Sequence, residues 1–569
     1  MKSLGVKGDG IADDTEAINK AIEAIHSVGG GILRFTAGTY QVRTVHLLSN
    51  VWLHLDSAAV IKALPNGDAP ETTWFSDREY RSGLSPTDPR PYANPENYLA
   101  KQDVGHTFFR NCMFFGERID NVKIVGTGRI TGNGNLVTTD KVMSNTPDKR
   151  CDKMFTFKLC TNIEIGGWNV DKDMWYDPQK DEPYYIETDR QKNYDVSNML
   201  HIDQAGHFVL LATGTDGIHV HDSYFAKHSS GSARDIYDFM ACNDVTVTNI
   251  YSRVSSDDIV KPGSDCSLGF TRPARNYMVR NVVGDTNCNL FQIGSETADD
   301  IQDLYIDNIY VLGANKAGFS ISTNDGGHIK NVYLNSGKTG PIHSRSVMRR
   351  TRAPFFISIS NRGRTLGADV KMFSFKENGT VRKELLVTNS NIGQVENIVI
   401  RGVDIDEVYG GSSFRGGRWK AYDGSQGEAT PIIAGFKLPD SENVEGGLDF
   451  RLPDGIHTGY IKNVQFHDVN IVVKGGHPEE DAEACPPEIG VGRYNVGDLK
   501  IQPSFGFWAR HVKGFVLDNC KLNAEKKDAR YPVYLDDVIG AEIKGLQVKE
   551  GITDKELVKA VRSQEVAVQ

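Results

Sequence analysis

Four aspartates stand out for their type and spacing. Asp235 and Asp238 lie in Ala233-Arg234-Asp235-Ile236-Tyr237-Asp238, and Asp257 and Asp258 in Ser255-Ser256-Asp257-Asp258-Ile259-Val260-Lys261. Crowded carboxylates cannot all ionise at neutral pH. One pKa rises, and a protonated acid then stands beside an ionised base. Glycoside hydrolysis needs that pair: an acid for the leaving oxygen, and a base for water or a nucleophile for the sugar. Two plainer uses compete with it. Aspartates cap backbone amides in turns, and a carboxylate patch can hold Ca²⁺.

Asp235 and Asp257 are 22 residues apart. That spacing matters only if the fold converts it into proximity. A short phrase repeats along the chain: a β-branched residue, a polar residue, Asn, then Ile or Val. It reads Val247-Thr248-Asn249-Ile250, Val279-Arg280-Asn281-Val282, Ile306-Asp307-Asn308-Ile309, Ile329-Lys330-Asn331-Val332 and Ile461-Lys462-Asn463-Val464. Its central spacing of roughly 23 to 32 residues lies in the range of stacked repeats. Each phrase is a short strand that cannot bury its apolar side alone, whereas stacked coils make a continuous core with parallel ladders. Asn at the turn tolerates left-handed backbone and bonds to its equivalents above and below. The expected fold is all-β: one right-handed parallel β-helix, a solenoid, spanning 1–569. A rise of roughly 4.8 Å per coil then gathers Asp235, Asp238, Asp257 and Asp258 into one patch.

The first 45 residues or so read as a cap. Ile18, Ala21, Ile22 and Ile25 share one helical face. Asp13 with Glu16 predicts a capping box, and Gly29-Gly30-Gly31 ends the helix. Segments of about 66–110 and 172–205 break the rhythm. They are rich in Pro, Asp, Arg and Tyr, and they carry Trp74, Trp175, Tyr176, Tyr184 and Tyr185. Such insertions wall binding clefts, and Trp175 is a candidate for stacking on a sugar ring.

The net charge is −10, with both signs mixed along the chain. That argues against a nucleic-acid partner, which needs a basic face. No apolar run is long enough to span a bilayer. The eight cysteines form no CxxC pair and no zinc spacing; buried thiols are expected, with a disulfide or two allowed by export. The reading calls for no metal and no cofactor.

Several stretches resemble known proteins. Gly5-Val6-Lys7-Gly8-Asp9-Gly10, Asp13-Asp14-Thr15, Gly29-Gly30-Gly31 and Phe35-Thr36-Ala37-Gly38-Thr39-Tyr40 look like the opening of pectin-lyase-like β-helix enzymes. Gly206-His207-Phe208, Leu211-Ala212-Thr213-Gly214 and Gly506-Phe507-Trp508-Ala509-Arg510-His511 are similar to phrases of glycoside hydrolase family 28, the polygalacturonases and rhamnogalacturonan hydrolases, especially the larger bacterial members. The resemblance implies an inverting hydrolase with catalytic Asp235, Asp257 and Asp258. Either Asp235 or Asp258 would be the acid, and the others would act on water. Taken with the readings of the patch and the loops, the residues expected around the sugar are Asp238, Lys261, Asn289, Glu296, Ser320, Ser322, Arg345 and Trp175.

The departures are specific. The family's His aligns with Asn289, and its Arg-Ile-Lys with Ser320-Ile321-Ser322. Losing both cations removes the charge-assisted grip on a uronate carboxylate. The implied substrate is thus a pectic or related plant or algal polysaccharide other than plain polygalacturonate, with exo action suggested by the long loops. Lys261, Lys316, Arg345, Arg349 and Arg350 are candidates for replacement charge. A lyase or epimerase on the same fold, and a glycan binder without catalysis, remain as alternatives. The expected state is a monomer, secreted, periplasmic or on the cell surface. The chain opens without an apolar signal segment, so export implies that a signal peptide has been trimmed.

Overall fold

The computed structural model describes residues 4–65, 106, 111–136, 152–168, 172–226, 234–268, 270–337, 345–363, 370–377, 380–388, 391–414, 416, 419–444, 452, 455–488 and 495–569. Of the 66–110 insertion, only His106 falls among them, so the insertion and Trp74 lie outside the described residues. The chain forms two compact units: residues 1–262 with 266–285, and residues 263–265 with 286–569.

The first unit is a stack of parallel coils. Asn111–Glu117, Asp152–Lys158, Phe208–Thr213 and Asp235–Met240 pair in succession along one side. Val51–Leu55, Asp120–Gly126, Thr161–Gly166, Asp216–Phe225 and Asn243–Ser255 form a second side. The second unit repeats the plan. His328–Leu334, Gln394–Asp406, Ile461–Val473, Ser504–Asp518 and Tyr531–Lys544 pair in parallel. This is the all-β parallel β-helix expected from the repeat. Val51–Leu55 alternates buried and half-buried residues, as a strand with one side on the core must. Inside, like residues stack coil on coil: the rings of Phe114 and Phe155 are 5.0 Å apart.

The repeated Asn does what its chemistry predicts. Asn249 and Asn281 have φ of 56° and 58°. Asn281 Nδ2 donates to Asn249 Oδ1 at 3.0 Å, and Asn249 Nδ2 to Asp222 Oδ1 at 3.0 Å. In the second unit, Asn331 donates to Asp303, Asn397 to Asn331 and Asn463 to Asn397, over sequence steps of 28, 66 and 66 residues. Each such bond contributes about 1 kcal/mol.

The cap helix, Thr15–Ser27, buries Ile18, Ala21 and Ile22 as expected. Its capping box does not form. Asp14 stands at the cap and gives its carboxylate to the Lys7 and Gly8 amides at 2.7 and 3.0 Å. Asp13 accepts from the Thr15 amide and from Arg43, while Glu16 pairs with Lys20. No helix among the described residues is long and apolar enough to cross a membrane. Cys112, Cys160, Cys242, Cys266, Cys288 and Cys520 are buried thiols, and Cys485 is an exposed one. Burial pushes the Cys112 thiol up to about 12. Cys151 lies outside the described residues.

One charged group on the second side sets a pH limit. The His221 ring lies between Asp222 and Glu164, at 2.9 and 3.2 Å. Burial opposes its charge, but the bonds to Asp222 and Glu164 prevail and push its pKa up to about 9. With an unfolded value of about 6.5, this contribution is complete below that pH and is lost as pH rises through 9. It amounts to about 3 kcal/mol at most. The urea midpoint of the native chain is therefore expected to fall across this window, and that of His221→Gln to fall less. Parallel slopes for the two chains would contradict the assignment.

Candidate active site

Two successive coils build the carboxylate group. Phe208 lies opposite Asp235, and Leu211 opposite Asp238. The His207 carbonyl accepts the amides of Arg234 and Asp235 at 3.0 and 3.1 Å. The next coil is fastened as tightly. The Asp257 amide donates to the Arg234 carbonyl at 2.7 Å, and the Ile236 amide to the Asp258 carbonyl at 2.9 Å. The Asp258 amide then donates to the Asp235 carboxylate, Oδ1, at 3.1 Å. The spacing read from the sequence thus becomes direct contact between coils.

The members differ in exposure and partners. Asp235, Asp238 and Asp258 are buried at 4%, 0% and 5% exposure, whereas the Asp257 side chain keeps 22% of its surface. Asp257 meets Arg234 Nη2 at 2.7 Å. Asp238 meets Lys261 Nζ at 3.2 Å and His106 Nε2 at 3.7 Å, with all three side chains buried. Burial pushes the Asp235 carboxyl well above the usual carboxylate range. The charge of Asp238 adds to this against the pull of Lys261, and Asp257 and Asp258 push the same way. A carboxyl whose proton is favoured by its surroundings therefore stands one coil from a carboxylate that a guanidinium meets. Asp257 and Asp258 also offer the hard oxygen atoms that a cation such as Ca²⁺ takes.

Lys261, a candidate for replacement charge, is buried against Asp238. Trp175 lies on a small antiparallel sheet made by Met174–Asp177, Glu182–Ile186 and Lys192–Asn193. It is 6% exposed, which leaves little of its ring for a sugar.

The remaining candidates belong to the second unit. Asn289 is buried, with Nδ2 donating to Gln292 Oε1 at 2.9 Å and Oδ1 accepting from the Ala317 amide at 2.9 Å. Ser320 lies opposite Gln292 and is buried, as is Ser322, which bonds to Ser358. Glu296 accepts from the Ser295 hydroxyl and has Arg362 Nη2 at 3.8 Å. Arg345 is held by Asp404 and Asp468, Arg349 by Asp406 and Glu407, and Arg350 by Glu407.

Four residues were missed from sequence. Arg234 stood in the quoted motif without a role. His207 stood in the Gly206-His207-Phe208 phrase, and burial, with the charges of Arg234 and Lys153, now holds its ring well below the usual pKa. His106 comes from an insertion whose pattern gave no sign of where it would fold. Arg362, paired with Asp325 at 2.7 Å, lies beyond the aligned motifs.

Residues 1–87 match the family model described as rhamnogalacturonase A/epimerase, pectate lyase-like. Mannuronan C5-epimerase AlgE1 of Azotobacter vinelandii is 50% identical over 42 residues, 7% of this chain and 3% of that protein. The iota-carrageenase of Alteromonas macleodii is 33% identical over 76 residues, 13% of this chain and 16% of that protein. The chain thus spans a small part of the length of these relatives. The exopolygalacturonase of Thermotoga maritima superposes with a TM-score of 0.50 at 13% identity, covering 92% of this chain and 90% of that one. That likeness is one of fold.

Proposed function

We propose that this protein is an inverting glycoside hydrolase of the family 28 type. It acts on a pectic or related plant or algal polysaccharide other than plain polygalacturonate, outside the cytosol. The carrying observation is the carboxylate group of two adjacent coils, in which the Asp258 amide donates to the buried Asp235 carboxylate while Asp257 is met by Arg234. In this reading, Asp235, Asp257 and Asp258 share the work. One protonated carboxyl serves the leaving oxygen, and an ionised one draws the proton from water on the opposite face of the sugar. The charges of Asp238 and Lys261 act on Asp235 in opposite directions. Exo action is part of this proposal because the sequence carries long insertions of about 66–110 and 172–205.

The test is a screen of pectic, rhamnogalacturonan and algal glycans by reducing-sugar release, native chain against Asp258→Asn, with proton NMR of the first product. Release by the native chain alone, with the anomer inverted, is expected. Single sugars at early times would mark exo action, and mixed long oligosaccharides endo action. If the native, Asp235→Asn and Asp258→Asn chains all bind glycan alike and none releases sugar, the protein is a binder and not a hydrolase.

A second reading rests on the epimerase and pectate lyase-like matches. A lyase abstracts the proton beside a uronate carboxylate, and Arg234 beside Asp257 offers a cation for that group. Unsaturated product, seen by its ultraviolet absorbance and abolished by a chelator, would favour this reading over hydrolysis.

A further inference from the structure

The second unit contains a cleft of about 340 Å³ whose lining includes Lys437, Asp440, Glu488, Arg510, Asp536 and Arg562. Arg510 is the fixed point. Its strand, Ser504–Asp518, sets it opposite Asp536. Its guanidinium lies 4.7 Å from the Trp508 ring, and Nη1 and Nη2 donate to the Pro486 and Pro487 carbonyls at 2.8 and 2.5 Å. At 2% exposure, its Nε has no hydrogen-bond partner among the described residues, and Glu488 Oε2 is 3.6 Å away. A buried N–H left so is costly unless something fills it.

Around Arg510 the charges come in pairs. Arg562 places both of its bonds on one oxygen of Asp536, at 2.9 and 2.6 Å. Lys437 Nζ lies 3.5 Å from Asp440. Lys376 also lines the cleft, so four cations face three acids. Pro439, Pro486, Pro487 and Leu438 supply apolar surface. Sugar hydroxyls donate to carboxylates and accept from cations at once, so alternating acids and bases suit a polyol. The surplus cation suits a negative group on the ring. The volume falls at the lower end of the roughly 300–1,000 Å³ typical of small-molecule sites.

We propose that this cleft is a second saccharide site, one that takes a sugar bearing an anionic group, a carboxylate or a sulfate ester. It shares with the hydrolase reading only a polysaccharide partner. Cys485 lines the cleft and is exposed, which gives a local reporter. The experiment follows alkylation of Cys485 by iodoacetamide, by peptide mass spectrometry, in the Asp235→Asn chain with trigalacturonate, a sulfated carrageenan oligosaccharide or neutral galactotriose. Counting alkylated thiols makes the result independent of whether any bond is cleaved. An anionic probe at ten times its Kd is expected to slow alkylation about tenfold, the neutral one far less. Whichever anionic probe protects identifies the group. Lys437→Gln with Arg562→Gln, or the half-buried Lys437→Gln alone, is expected to remove the difference between anionic and neutral probes. Buried Cys520 should stay unreacted throughout, as a check on folding. Unchanged alkylation under both anionic probes, or equal protection by the neutral one, overturns the proposal.

Discussion

The Asp235→Asn chain is expected to lose glycan hydrolysis by about a thousandfold and, near neutral pH, to be more stable than the native protein. Both effects follow from one buried carboxyl. Its pKa is raised by burial and by the charge of Asp238. A group whose folded pKa exceeds its unfolded one binds more protons folded than unfolded. Stability therefore declines as pH climbs from about 3.9, the unfolded value, towards the raised folded value. Asn carries no such proton, so the declining limb disappears. Asn also keeps the oxygen that accepts the Asp258 amide, so the junction between coils survives. The measurement is thermal unfolding of both chains from pH 4 to 8. The melting temperatures should coincide near pH 4 and diverge upward, Asn above Asp. A mutant that melts lower at every pH would show that the carboxyl is a structural anchor.

Lys261→Met is expected to destabilise the first unit by about 3–5 kcal/mol, because it strands the Asp238 charge in the interior. Lys261 and Asp238 expose 8% and 0% of their side chains and stand 3.2 Å apart. His106 stands 3.7 Å from Asp238, and it would carry a positive charge there only by taking a proton. The double change Lys261→Met with Asp238→Leu should recover much of the loss, since an apolar pair of similar size often replaces a buried ion pair without penalty. Equal unfolding midpoints for the single and double variants would contradict this coupling. Activity supplies a second readout. Lys261 lowers the Asp235 pKa, so in the double variant the activity profile should shift according to whichever of the two removed charges weighs more. Asp238 is the larger influence on Asp235, and the expected shift is to lower pH.

Local chemistry was legible where the sequence repeats it. Val247-Thr248-Asn249-Ile250 announced a strand and a left-handed Asn, and Asn249 has φ of 56°. The Asp235 to Asp257 interval announced a one-coil step, and the amide bonds between those segments bear it out. What failed depended on partners distant in sequence. The capping box needed a free Asp13, but Arg43 takes it. Trp175 read as a loop aromatic, yet Asn249 and Arg280 fasten its segment through Met174 and Asp173. Arg345 read as a spare cation, but Asp404 and Asp468 answer it. Asp238 read as a contact for the sugar, yet it is buried against Lys261 and His106. No window of sequence holds those pairings, because each is made by the stacking itself.

The second unit's Asn ladder steps once per coil whether the coil spans 28 residues or 66. The corner and the strands beside it are held in register. Pitch and circumference are thereby uncoupled, and extra chain can leave between corners and return without disturbing the coils above or below. Each doubling of such a loop costs only about 0.6 kcal/mol in closure entropy. A protein built this way can exchange the walls of a cleft while its floor stays fixed, so changes of glycan specificity should arise as insertions between ladder positions and leave the ladder itself untouched.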